Sequence, residues 1–167
     1  MMQDSTVGEL MTREVVTLHE EDSLESVLQA MESLQVRHVP VVDGQRLVGL
    51  VTHRDLLRLI GGEIDQSPAA HARRERGKAN VFVAKVMTRD PLTARPETSI
   101  ADAAQALVQG RFGCLPVVDD DKTLVGILTA TDVLSWVIAC SVLDNAPPSP
   151  PGADVRPLSI PPVPSDA

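Results

Sequence analysis

Aromatic residues are nearly missing from this 167-residue chain: Phe82, Phe112 and Trp136 are all it has, and tyrosine is absent. A core must therefore be assembled from Val, Leu, Ile, Ala and Met, and the stacking platforms on which single-stranded nucleic acids lie are excluded. Positive charge is also short. Fifteen Lys and Arg against 23 Asp and Glu leave a formal charge of −8, which opposes a phosphate backbone whose affinity comes from many cationic contacts. No nucleic-acid partner is expected. Two cysteines, Cys114 and Cys140, are too few for a disulfide scaffold or an all-protein zinc site, and neither sits in a CxxC pair. Met1 to Ser5 carry no basic-then-apolar leader, and the longest apolar run, near Val133 to Leu143, is well short of the ~20 residues of a membrane span. A cytoplasmic protein with no membrane partner is the expectation.

What the chain has in quantity is itself, twice. Met11-Thr12-Arg13 returns as Met87-Thr88-Arg89, and Pro40-Val41-Val42-Asp43 as Pro116-Val117-Val118-Asp119. One residue is then inserted, and Leu47-Val48-Gly49-Leu50-Val51-Thr52 with Asp55 matches Leu124-Val125-Gly126-Ile127-Leu128-Thr129 with Asp132. Pairing 11–43 with 87–119 and 47–59 with 124–136 gives 18 identities in 46 pairs, where ordinary residue usage gives about three by chance. The chain is a duplication.

Each copy predicts the same order of elements. Val15-Val16-Thr17 and Pro91-Leu92-Thr93 are short and extended. Asp22-Ser23 and Thr98-Ser99 then open helices whose apolar faces are Leu24, Val27, Leu28, Met31 and Leu34, or Ile100, Ala103, Ala104, Leu107 and Val108. Gly110 reads as the second helix's C-cap. Two apolar strands follow, split by Asp43-Gly44 or Asp119-Asp120-Asp121, and a second helix begins near Thr52 or Thr129. Each repeat is thus β-α-β-β-α, in an α/β (α+β) class. A unit this small excludes too little water alone, so the two should pack sheet against sheet as one module.

The expected boundaries are repeat 1 at 5–60, a linker at 61–80, repeat 2 at 81–143 and a tail at 144–167. The linker holds the basic stretch Arg73 to Lys78, read as a solvated face, with a short helix expected over 69–76. The tail carries eight of the 13 prolines and is expected to be disordered or polyproline-like. The helix from Val133 to Leu143 is apolar almost all round, so a face is left over for the other repeat or for a second chain.

Chemistry concentrates in Thr52-His53-Arg54-Asp55 and Thr129-Ala130-Thr131-Asp132. Hydroxyl and carboxylate three residues apart at a helix start point past the first turn, toward its free N–H groups. Two readings compete. Thr-x-x-Asp is close to a capping box that satisfies those donors and binds nothing. Alternatively, the carboxylate accepts from the vicinal hydroxyls of a ribose while a phosphate lies near the helix N-terminus, which favours a nucleotide over a simple anion. No Gly-x-Ser-x-Gly elbow, phosphate loop or His-Glu-x-x-His motif is present, and no enzymatic activity is expected.

The pattern resembles a tandem pair of cystathionine-β-synthase (CBS) domains, a Bateman module, over about residues 5–143. The likeness is carried by Val7-x-x-Leu10-Met11-Thr12 and Val83-x-x-Val86-Met87-Thr88, by the His38-to-Asp43 and Cys114-to-Asp119 strands, and by Gly49 to Asp55 and Gly126 to Asp132. The resemblance implies a regulatory module with two clefts that bind AMP, ADP, ATP or S-adenosylmethionine. No cofactor is obligatory, and Mg is an optional companion of the ligand. It further implies a homodimer and a separate effector protein. Asp55 and Asp132 match ribose-binding aspartates, and Thr52 and Thr129 match hydroxyl contacts near ribose or phosphate. Thr17 and Thr93, with Val16 and Leu92, border the base. Arg37 and His38 fall where phosphate-contacting cations stand, ahead of Pro40, and Gly113 and Cys114 replace them ahead of Pro116. Ala130-Thr131 likewise replaces His53-Arg54. Two unequal clefts are expected: the one with Asp55, Arg54, His53 and His38 suits a phosphorylated ligand, and the one with Asp132 suits a less charged adenosine compound or stays empty. His38 and His53 have the plainer alternative of ordinary core or surface histidines, and Arg95 and Arg111 are candidates to add charge from across a cleft.

Overall fold

The computed structural model describes residues 5–60, 81–142 and 156–157. A short helix α1 (Val7–Leu10) precedes β1 (Val16–Thr17), α2 (Leu24–Ser33), β2 (His38–Asp43), β3 (Arg46–Thr52) and α3 (His53–Ile60). After the linker come a 3-10 turn (Val83–Lys85), β4 (Thr88–Arg89), α4 (Ile100–Gly110), β5 (Cys114–Val118), β6 (Leu124–Thr129) and α5 (Ala130–Val142). The hydroxyl starts act as read: Ser23 Oγ accepts from the Ser26 amide and Ser99 Oγ from the Asp102 amide at the heads of α2 and α4. β2–β3 and β5–β6 are antiparallel hairpins whose registers set His38 opposite Thr52 and Cys114 opposite Thr129. Each strand pair therefore delivers its first residue and its Thr-x-x-Asp segment to the same end.

The hairpins meet at their turns, where Arg46 bridges Thr123, the Leu47 amide donates to the Lys122 carbonyl and the Leu124 amide to that of Gln45. Val42, Leu47 and Leu50 of one copy share a buried cluster with Cys114, Val118, Leu124 and Ile127 of the other. This is the sheet-on-sheet contact that makes the repeats one unit. On their outer faces lie two further clusters, one per copy.

The leading segments are exchanged between copies, which the division at 5–60 and 81–143 does not show. Val7 and Met11 pack into the second copy's core, where Thr12 pairs with Ile127 and the Val7 amide donates to the Thr98 carbonyl. Reciprocally, Val83 and Met87 enter the first copy's core, and β4 adds a third strand beside β3. Each crossing Met needs room: a Cβ on Gly126 would sit 2.6 Å from Met11 Sδ and 3.0 Å from the Thr12 carbonyl oxygen, and one on Gly49 would sit 2.6 Å from Met87 Sδ.

Several local expectations are corrected. Leu34 is 47 % and Val108 78 % exposed, so the buried stripes are narrower than read: Leu24, Val27 and Met31 on α2, and Ile100, Ala103 and Leu107 on α4. α4 runs through Gly110, and the left-handed cap is Arg111 (φ 53°). Residues 91–93 form no strand, whereas their counterparts form β1. The difference is a second neighbour: β1 pairs in parallel with β7 (Arg156–Pro157). Both first segments dock through the residue that follows, with Leu18 bridging Val41 and Ala94 bridging Val117. The rest of the tail and the linker 61–80, including its proposed helix at 69–76, lie outside the described residues.

Gly126→Ala and Gly49→Ala should each destabilise the fold by about 1–3 kcal/mol through overpacking. Urea unfolding measures this, and both should lose stability, since each added Cβ meets a methionine sulfur and a backbone carbonyl oxygen, that of Thr12 at 3.0 Å and that of Thr88 at 3.2 Å. Unaltered midpoints would mean that the crossing segments are not packed as described.

Candidate functional site

Both Thr-x-x-Asp segments close the same set of bonds. In the first, Thr52 Oγ1 donates to Asp55 Oδ2 (2.6 Å), the Thr52 amide donates to the same oxygen (3.3 Å), and the Asp55 amide donates to Thr52 Oγ1 (3.2 Å). In the second the distances are 2.7, 2.8 and 3.2 Å between Thr129 and Asp132. The capping box is therefore present twice. It uses only Oδ2 of each aspartate. Both carboxylates are half-buried; Asp55 Oδ1 lies 3.9 Å from the exposed Arg58 guanidinium, and Asp132 Oδ1 takes no hydrogen bond among the described residues. The cap holds each aspartate through that one oxygen and leaves Oδ1 outside the box.

A second tie holds each segment in place. The His53 amide, first of α3, donates to the Arg37 carbonyl (2.8 Å), and the Ala130 amide, first of α5, donates to the Gly113 carbonyl (3.0 Å). On the opposite side of β2 and β5 the leading extended segments are pinned by the prolines. The Leu18 amide donates to the Pro40 carbonyl (2.9 Å) and that of Ala94 to Pro116 (3.0 Å). A proline in mid-sheet has no N–H to give, but its carbonyl still anchors the neighbouring strand.

The expected residues divide as follows. Arg37, His38, Arg54 and Asp55 come together: both guanidiniums and the carboxylate act on the His38 imidazole. Burial foremost, then Arg37 and Arg54, push that imidazole below its ordinary 6.5, against the pull of Asp55. Arg37 and Arg54 are exposed, and His38 and His53 half-buried. In the second repeat Thr131 is exposed and Cys114 buried; burial raises its thiol to about 12, so it stays protonated and packs as an apolar group. Val16 is half-buried and Thr17 buried, both on β1, while Leu92 and Thr93 stand exposed. Arg95 is engaged by Asp120 and lies 3.9 Å from Glu97, and Arg111 is the exposed cap of α4.

A pocket of about 450 Å³ adjoins the first segment, lined by Met31, Glu32, Gln35, Val36, Arg37 and His53. Four of these, Met31 to Val36, escaped the sequence reading. Their only signal is place, at the helix-to-strand turn where Gln35 turns left-handed (φ 53°).

The lowered His38 value fixes a sign. The unfolded chain binds this proton more readily than the folded one, so the stability present above about pH 6.5 is eroded as pH falls below it. His38→Gln removes the titration. Urea midpoints of parent and variant, compared from pH 8 down to 5, should shift in the variant's favour as pH falls, and a constant difference would contradict the assignment.

A sequence profile of the CBS domain matches residues 7–62 and 83–139. Among solved structures, CBSX2 in complex with AMP shares 31 % identity at a TM-score of 0.68, covering 81 % of this chain and 98 % of that one. CBSX2 from Arabidopsis thaliana shares 32 % over 84 % of this chain and 98 % of its own, TM-score 0.69. MJ1225 from Methanocaldococcus jannaschii shares 30 % over 81 % of this chain and 48 % of its own, TM-score 0.70. Among curated proteins, homoserine O-acetyltransferase of Methanohalophilus mahii is 32 % identical over 133 residues, 79 % of this chain and 24 % of the enzyme. The chain therefore spans about a quarter of that enzyme's length. No helix among the described residues is long and apolar enough to cross a membrane. With both copies matched, and a fold shared along nearly the full length of CBSX2, this chain belongs to the CBS domain family as a tandem pair.

Proposed function

We propose that this CBS pair is a regulatory module that binds an adenine nucleotide, AMP first among AMP, ADP, ATP and S-adenosylmethionine, with Mg needed only as a companion of a polyphosphate. The observation that carries the reading is that each capped aspartate keeps Oδ1 out of its capping box; we assign that oxygen to the vicinal hydroxyls of a ribose. CBSX2, solved with AMP, lends support from a relative. The cleft of Asp55 takes the phosphorylated ligand, because Arg37, Arg54 and Asp55 lie near enough to act on His38 there, whereas the corresponding Gly113, Cys114 and Thr131 are neutral. His53 adds a further cation-capable group beside Arg37.

Occupancy acts by biasing the packing of repeats or chains toward the arrangement the ligand binds better. The homodimer forms on the apolar remainder of α3 and α5, where Leu57, Leu134 and Ile138 are 51, 63 and 62 % exposed while Trp136 faces the core. A separate effector protein receives the output in the cytoplasm, and no covalent chemistry is involved. A second reading is a ligand-free dimerisation module, favoured by the presence of the same capping box at both helix starts, in which the aspartates serve their own backbone.

Thermal unfolding against the four adenosine compounds separates the readings, since a ligand at 100 times its Kd stabilises by about 2.7 kcal/mol. AMP should raise Tm. Asp55→Asn, which keeps an oxygen for the cap but loses the charge, should weaken AMP at least tenfold with little change in unliganded Tm, and Asp132→Asn should weaken it less. No shift with any of the compounds would leave the dimerisation module.

A further inference from the structure

Gly113 holds in the second repeat the place that Arg37 holds in the first, and the His38 ring lies on it. A Cβ on Gly113 would come 2.7 Å from His38 Cε1 and 3.4 Å from Cδ2, with Nε2 nearer still. Gly113 is not among the left-handed residues, so a side chain here would displace the ring and would not strain the backbone. The same glycine's carbonyl receives the Ala130 amide at 3.0 Å, and Ala130 stands between Thr129 and Asp132 at the start of α5. A side chain of the first cleft therefore rests on the backbone that fixes the second. The arrangement runs one way only: the residue corresponding to His38 is Cys114, which is buried in the cluster shared by the two hairpins.

We propose that His38 is a positioning residue of the second cleft: its ring, seated on Gly113, holds the carbonyl that fixes the start of α5 and so sets where Asp132 presents its outer oxygen. For its consequence the proposal rests on the nucleotide reading. The groups facing the ring are Arg37, Arg54 and Asp55, the cluster that receives a phosphate in the first cleft. A phosphate there draws the imidazole toward itself and off Gly113. The start of α5 is then less held, and a ligand in the second cleft must supply the lost ordering. The clefts are thereby negatively coupled, and the coupling is reciprocal.

Hydrogen exchange on the full, ligand-free chain tests the seat without any nucleotide. His38→Ala should speed exchange of the Ala130 amide at least tenfold, while the Ala94 amide, bonded to Pro116 in the same repeat, keeps its rate. His38→Phe, which refills the seat with an uncharged ring, should restore Ala130, and Gly113→Ala, which expels the ring, should behave as His38→Ala. Calorimetry with AMP in an Asp55→Asn background should show the second cleft weakened about threefold by His38→Ala and restored by His38→Phe. An Ala130 rate unmoved by His38→Ala, or Ala94 and Ala130 accelerating together, overturns the proposal. An absence of AMP heat in every variant, with the exchange pattern as expected, would instead remove the nucleotide reading and leave the positioning role standing.

Discussion

The amide that opens each C-terminal helix of a repeat is tied to a carbonyl at the far side of the hairpin before it, His53 to Arg37 and Ala130 to Gly113. That bond does more than satisfy a helix donor. It closes a ring through strand, turn, strand and helix start, so the Thr-x-x-Asp segment cannot swing away from the first residue of β2 or β5. The capping box then locks the aspartate from within the same segment. Geometry of this kind is cheap to maintain, because it uses backbone groups that need partners in any case. It leaves one oxygen of each carboxylate outside the cap as a by-product.

Duplication made most of the fold readable before any coordinates. A pattern repeated with its helix caps, turns and strand lengths intact constrains itself twice, and the Ser23 and Ser99 caps, both hairpins and both helix starts fall where it places them. The exchange of Val7 to Thr12 against Val83 to Arg89 was not readable, since a segment's hydrophobic pattern tells that it is buried but not which of two similar cores it enters. Val108 was misplaced for a related reason. Helical periodicity marks a stripe, but the width of the stripe is set by the neighbouring surface, and next to α4 that surface ends short of Val108.

The candidate site was legible in its residues and illegible in its logic. Thr52, Asp55, Thr129 and Asp132 stand at the helix starts read for them and form the caps, and the grip on a ligand remains a proposal that four residues alone do not separate from capping. The inequality of the clefts was visible as charge, Arg37 and His38 against Gly113 and Cys114. Its second half was not: the His38 ring occupies the space where a side chain on Gly113 would begin. No pattern along the chain reports a contact of that range.

The claim on which this account turns is that the outward aspartate oxygens hold ribose hydroxyls. Calorimetric titration of the full chain with AMP and with its 2′,3′-dideoxy analogue isolates that contact, because base and phosphate are unchanged. The account predicts that the dideoxy compound binds at least 100-fold more weakly, as expected when a buried, charge-assisted pair of hydrogen bonds loses both donors. Equal affinities for the two compounds would contradict it.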